Sequence, residues 1–275
     1  MTDIHVVFSN HLDVGFNSRA WCDGGAYKGC IHPNQTIDGQ QCRPFTNYVI
    51  QANIDTFIPR AIQMAKDLRN TSTPFSYMTQ SFVAAFLLDC AGSGLNDWRP
   101  QNQNKSLLKC PPASAVAEFK EAAKRGDIWW HAFPHNAQPG LYEASLFNAS
   151  IAMSAKMARD LGVRQPTTFS QRDETGMTRA IVPLLQANGV QMISLGSGGS
   201  AGGHPEIPDL FIWRDEPTDT EVLFAFDHGY GGGLHVLPNG HALYCAWNTD
   251  NGGPLPLKSV QSTYENLRRR HPGVG

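Results

Sequence analysis

The chain reads as an α/β protein, a parallel sheet or a barrel built of βα units, and three observations carry that reading. Short apolar runs alternate with segments of helical periodicity along nearly the whole sequence. Glycine follows three of the helical segments, at Gly126, Gly162 and Gly189. Polar clusters follow the apolar runs, as expected where strands end in loops that carry chemistry.

The elements follow in order. Ile4-His5-Val6-Val7-Phe8 is the first strand, with His5 expected to be buried and structural. A Gly- and Cys-rich insertion, about residues 21–45, holds three of the six cysteines, where disulfides would compensate for a poor core. Apolar residues from Val49 recur at helical spacing to Leu68, and Asn70-Thr71-Ser72-Thr73-Pro74 stops that helix. Phe75–Met78 is a short strand, followed by an apolar run to Leu88. The polar segment from Cys90 to Pro112 is a loop that those two flanking cysteines, Cys90 and Cys110, could tie. Ala113–Lys124 is a helix and Ile128–His131 a strand. Leu141–Leu161 is a helix, Thr167–Ser170 a strand, Thr175–Asn188 a helix and Val190–Leu195 a strand. Strands Leu210–Trp213, Val222–Phe226 and Ala242–Trp247 precede a last helix, Leu257–Arg270.

Composition narrows the function classes. At 275 residues, 41% hydrophobic and 17% charged, the chain can bury one full α/β core, and a single domain over 1–275 is expected. A net charge of -2 gives no electrostatic case for nucleic acid or an anionic membrane. No stretch is apolar for long enough to span a bilayer, and the first residues do not form a signal-peptide pattern. Six cysteines without a C-x-x-C pair, and four N-x-S/T sequons at Asn34, Asn70, Asn104 and Asn148, point to a secreted or vacuolar/lysosomal protein.

The chemistry-bearing candidates lie after strands. His11-Leu12-Asp13 closes the first one; two residues apart in extended chain, the imidazole and carboxylate leave the same face and make half of a zinc site. Phe16 would offer an aromatic wall beside it. His131–Gly140 holds His135 and Asn136 in a loop that either contacts substrate or is merely structural; Pro134 argues against a helical His pair there. Arg172-Asp173-Glu174 follows another strand, where Asp173 is either a functional carboxylate or an N-cap. Asp227-His228-Gly229-Tyr230 and Trp247–Gly253, with Asp250, complete the set. The tryptophans Trp129 and Trp130 suit core packing better than sugar stacking.

Together these stretches resemble the catalytic domain of the glycoside hydrolase family 38 α-mannosidases, in the right order. His11-Leu12-Asp13-Val14-Gly15-Phe16 is similar to the family's H-x-D-x-G-W, with Phe16 in place of tryptophan. Arg172-Asp173-Glu174-Thr175-Gly176 is similar to its D-P-F-G segment, with Glu174-Thr175 in place of Pro-Phe. Trp247–Gly253 stands where the family carries its paired acids, with Asn251 in the second place. The resemblance implies an irregular (β/α)7-type barrel with parallel strands, of the glycoside hydrolase/deacetylase kind. It implies a zinc ion (Zn2+) held by His11, Asp13 and Asp173, with Asp173 also the nucleophile of a retaining mechanism and Asp250 the general acid. A fourth ligand would lie beyond Gly275, as would the family's C-terminal domains. Phe16, His135, Asn136, Arg172, His228 and Tyr230 become candidates to contact a glycan substrate. Two rivals are a zinc-dependent carbohydrate deacetylase and an inactive glycan-binding descendant. Oligomeric state is left open.

Overall fold

The computed structural model describes residues 1–13, 20–22, 36–37, 40–92, 108–174, 176–198 and 206–274. Phe16 and most of the cysteine-rich insertion lie outside them. Of the insertion, the backbone shows a small antiparallel sheet: β2 (Ala20–Cys22), β3 (Thr36–Ile37) and β4 (Gln40–Pro44), with Cys22 opposite Cys42 in register.

Two larger sheets carry the fold. The first has β1 (Asp3–His11) between β12 (His241–Asp250) and β5 (Tyr77–Thr79), with β6 (Ile128–Trp130) beyond β5 and β11 (Leu234–Val236) beyond β12. The pairs β1–β12, β1–β5 and β5–β6 are parallel, and β11 is antiparallel to β12. The second sheet runs β7 (Thr168–Arg172), β8 (Met192–Gly196), β10 (Thr220–Asp227) and β9 (Leu210–Asp215); its first two pairings are parallel and the edge strand β9 is antiparallel.

The expected parallel strands are thus present, but the expected barrel is not closed. Among the described residues no ladder joins the two sheets. A backbone hydrogen bond does so instead, from Ala132 N–H just past β6 to Thr168 O in β7, at 2.8 Å. The antiparallel strands β9 and β11 explain the opening, since each ends its sheet with a hairpin partner rather than a further βα unit.

Helices cover the sheets. α1 (Phe45–Ala52), a π-helical turn (Asn53–Phe57) and α2 (Ile58–Leu68) form the amphipathic stretch read from Val49, and the turn at Asn70–Thr73 ends it. α3 (Ser81–Leu88) is the apolar run after β5. α4 (Ala113–Arg125) and α5 (Ala144–Leu161) both end on a left-handed glycine, Gly126 at φ 78° and Gly162 at φ 67°. A residue with a Cβ pays steric cost there, so these glycines end both helices as the sequence indicated. α6 (Ile181–Ala187) is shorter than the expected 175–188, and α7 (Leu257–Arg270) matches its expected bounds. Cys90 and Cys110 are bonded, with Cα atoms 5.5 Å apart. No helix among the described residues is long and apolar enough to cross a membrane.

The core divides with the sheets. Phe8, Ile58, Tyr77, Phe86, Phe119 and Trp130 lead one cluster; Phe133, Phe147, Phe169, Ile193 and Phe224 lead the other. Trp130 stacks on Phe119 in the first, the packing role expected of it. His5 departs from expectation. It is exposed at the amino end of β1, where few elements cover the strand, and it stacks on His241.

Candidate active site

The carboxyl ends of β1, β7 and β12 meet. β1 is exposed or half-buried from Asp3 to Val7 and buried from Phe8 to His11, because its far end lies between β5 and β12 under the connecting loops. His11 is 1% exposed, and its Nε2 lies 2.9 Å from Asp13 Oδ1. Asp13 is gripped a second time by Asn251, which donates through Nδ2 to Oδ2 (2.9 Å) and accepts the Asp13 backbone N–H at Oδ1 (2.8 Å). Burial by itself would raise the Asp13 carboxyl; the hydrogen bonds from His11 and Asn251 outweigh it and hold the pKa below the ordinary value. Asn251 adopts φ 54°, a conformation asparagine tolerates better than most residues.

Asp173 comes from the second sheet. It sits just past β7 at φ 61°, and its carboxylate reaches to 4.0 Å from His11 Nε2 while remaining 39% exposed. The N-cap reading does not hold, because α6 begins well downstream at Ile181 and the chain bends at Asp173 instead of turning into a helix. Gly198 makes room for this carboxylate: a Cβ there would stand 1.8 Å from Asp173 Oδ1. The glycine after β8 is therefore needed for close approach to a side chain.

Asn136 joins the two halves. Its Oδ1 accepts the Arg172 backbone N–H at 3.1 Å, and its Nδ2 lies 2.6 Å from His11 Nδ1. Tyr230 stacks on His11 with ring centroids 5.0 Å apart. Asn136 and Tyr230 thus lie at the site, whereas His228 lies beside it. The His228 ring is exposed, 3.4 Å from Asp209, on a recess of about 230 Å³ lined by Phe226, Asp227 and the glycines of the β10–β11 loop. His135 turns its Nδ1 to its neighbour's carbonyl, Asn136 O, at 2.8 Å. Asp250 lies opposite His11 in the β1–β12 register; its side chain, like Phe16, is outside what is described.

Arg172 is corrected from a substrate contact to an internal residue. It is 1% exposed; Nη1 donates to Gln171 O (2.6 Å) and Ser194 O (2.8 Å), and Nη2 to Ser194 Oγ (2.8 Å). The guanidinium stacks 3.8 Å over Trp247 and faces Asp227 at 3.7 Å, and Asp227 in turn faces His235 at 3.2 Å. Such a cation ties strands of both sheets together behind Asp173.

One group at the site is given no role by the sequence pattern. Glu174 is buried, its carboxylate takes a hydrogen bond from Gln138 Nε2, and burial, then the neighbouring Asp173 charge, push its pKa up to about 7. Its place after a strand end was the available signal.

An imidazole with two carboxylates is a donor set that zinc accepts. Ligand atoms about 2.1 Å from a tetrahedral ion lie roughly 3.4 Å apart. The 2.9 Å and 4.0 Å separations from His11 Nε2 fall on either side of that. Among the described residues no group of three or more His, Cys, Asp or Glu already stands at ion-holding spacing. His11, Asp13 and Asp173 therefore fit in donor chemistry, while their spacing is not that of a formed ion site.

Known structures share this architecture. An α-mannosidase from Enterococcus faecalis V583 superimposes with a TM-score of 0.58 at 10% identity, over 100% of this chain and 28% of its own. That overlap decides the fold. The chain is built like part of that enzyme, an α/β domain with parallel strands in two sheets. A glycosyl hydrolase family 38 protein from Enterococcus faecalis gives 0.51 at 10% identity, over 100% of this chain and 26% of its own. The 4-α-glucanotransferase of Thermococcus litoralis gives 0.50 at 12% identity, over 98% and 36%. The chain spans well under half the length of each. No protein-family model matches the sequence, and no curated protein does.

Proposed function

We propose that this chain is a zinc-dependent retaining glycoside hydrolase, α-mannosidase-like, acting on glycans. The observation that carries the reading is the approach of Asp173, on one sheet, to the His11–Asp13 pair on the other, in a fold shared with glycoside hydrolases. His11, Asp13 and Asp173 would hold the ion. A bound zinc ion supplies positive charge that keeps a neighbouring carboxylate ionised and accepts hydroxyl oxygens as further ligands.

The chain's own residues then divide the work. Asp173, exposed enough to meet a substrate, attacks the anomeric carbon and forms a covalent glycosyl ester; water later releases the sugar with net retention. Asp250, beside His11 in register, donates the proton to the leaving oxygen. Asn251 and His11 keep Asp13 ionised and fixed, and Tyr230 packs on the His11 ring as a wall of the site. The Cys90–Cys110 bond supports an oxidising location, secreted or vacuolar/lysosomal.

The test is hydrolysis of an aryl α-mannoside followed by proton NMR of the first-formed sugar. Retained α-anomer from the parent, absent from Asp173→Asn, supports the reading; unchanged turnover in Asp173→Asn overturns it. Acetate release from acetylated glycans without sugar release would favour a deacetylase, and glycan binding without turnover an inactive descendant.

A further inference from the structure

We infer that a recess at the amino ends of β6 and β7 binds an acidic sugar unit, with Trp129 as its platform and Arg164 as its carboxylate contact. It lies where the two sheets fail to join. β6 is the edge of one sheet and β7 of the other, and beside the ends of α4 and α5 they leave a recess of about 640 Å³. That volume falls within the ~300–1,000 Å³ of small-molecule sites. Along β7, about 13 Å of extended chain separates Thr168, which lines the recess, from Arg172 beside the candidate active site. The two places are distinct.

Side-chain alternation puts Trp129 there. Ile128 and Trp130 turn into the first core cluster, so the residue between them leaves the opposite face of β6. Trp129 is half-buried and belongs to neither core cluster, in contrast to the core packing expected of both tryptophans. Its ring and its indole N–H have no partner among the described residues.

The polar groups of the recess are open in the same way. Gln165 engages Asn188 O through Nε2 at 3.5 Å, which leaves its Oε1 open. The half-buried hydroxyls of Thr167 and Thr168 have no hydrogen-bond partner among the described residues. No acidic side chain lines the recess. Lys124 and Arg125 are already paired, with Glu121 at 3.0 Å and Asp127 at 2.9 Å, whereas the exposed Arg164 has no ion pair among the described residues. An indole face accepts the apolar C–H face of a pyranose ring, and amide and hydroxyl groups beside it take the sugar's hydroxyls. A guanidinium fork takes a carboxylate through two parallel N–H donors. A hexuronate answers all three. A neutral sugar leaves Arg164 unanswered, and an aromatic acid leaves the amide and the hydroxyls unanswered. Such a site goes beyond the hydrolase reading, because it holds a glycan away from the reacting centre.

Calorimetric titration at one fixed ionic strength tests it, with D-glucuronate, D-glucose and benzoate as probes. Glucuronate is expected to bind at least ~10-fold more tightly than either of the others, the difference that charge-assisted hydrogen bonds supply. Arg164→Gln, at an exposed position, should bring glucuronate down to the affinity of glucose. Trp129→Ala should abolish binding, and Asp173→Asn should leave it unchanged. No binding of glucuronate overturns the inference, and so does glucose or benzoate binding as tightly. Unchanged affinity in Arg164→Gln overturns it too, a result that stands even if Trp129→Ala does not fold. Binding lost in Asp173→Asn would put the acid at the other centre and overturn it as well. Hydrolysis is not the readout, so failure here leaves the hydrolase reading standing, and inactivity toward α-mannosides leaves this site standing.

Discussion

Strands β1 and β12 carry a histidine pairing at each of their two ends, and the ends differ in kind. At the amino end His5 Nε2 lies 3.0 Å from His241 Nδ1, with Asp3 3.5 Å further on, all at least partly open to water. At the carboxyl end His11, Asp13 and Asn251 form a set of comparable spacing, with His11 buried and its two partners half-buried. Residue type and distance are alike; the surroundings are not. What sets the carboxyl end apart is the arrival of other elements: Asn136 from the β6–α5 loop, Tyr230 from the β10–β11 loop, and Asp173 from the second sheet. Burial of His11 strengthens its contacts, while exposed charges at the other end are screened by water.

The sharpest way to break the comparison is substitution at both ends. Asp173→Asn is expected to lower kcat for an α-mannoside by at least about a thousandfold, as removal of a nucleophile does, with the melting temperature little changed. His241→Ala at the open end should leave kcat/KM within about twofold of the parent. Equal losses in the two variants would erase the distinction.

Stability gives the next largest effect. Arg172→Met removes the cation facing buried Asp227, so chemical denaturation should show a loss of about 3–5 kcal/mol. A loss below about 1 kcal/mol would mean that the two sheets do not depend on this arginine.

A pH-dependent effect comes from a buried histidine. His131 is buried, and that burial, then Arg172 and His135, press its pKa down to about 3. The unfolded chain binds a proton at His131 near pH 6.5 and the folded chain does not. Stability therefore falls as pH drops through the window from about 6.5 to about 3, by at most about 1.4 kcal/mol per pH unit from this one group. His131→Gln should flatten that slope in unfolding curves measured across the window.

Much of this was legible in the sequence, for physical reasons that also mark where legibility stops. Periodicity and capping report local structure, so α7, the glycine ends of α4 and α5, and the strand before His11 were all readable. The polar residues after strands located His11, Asp13 and Asp173 because parallel strands deliver their loops to one rim. What periodicity does not encode is the partner of a side chain. The grip of Asn251 on Asp13 spans 238 positions, and the inward turn of Arg172 depends on Ser194 and Trp247. Nor did local pattern reveal the open barrel, since an edge hairpin such as β10–β9 reads like any other pair of strands. The left-handed turn at Asp173 diverts the chain before the helix starts, which shortens α6 and leaves Asp173 outside its N-cap.

The central claim is that side chains from two sheets serve one centre, and zinc titration of four proteins tests it most directly. The parent should bind one ion per chain. His11→Ala, Asp13→Ala and Asp173→Ala should each weaken binding by more than the ~10–100-fold that loss of a mere supporting partner costs. Should Asp173→Ala take up zinc as tightly as the parent, the carboxylate of the second sheet does not belong to the site, and the account fails.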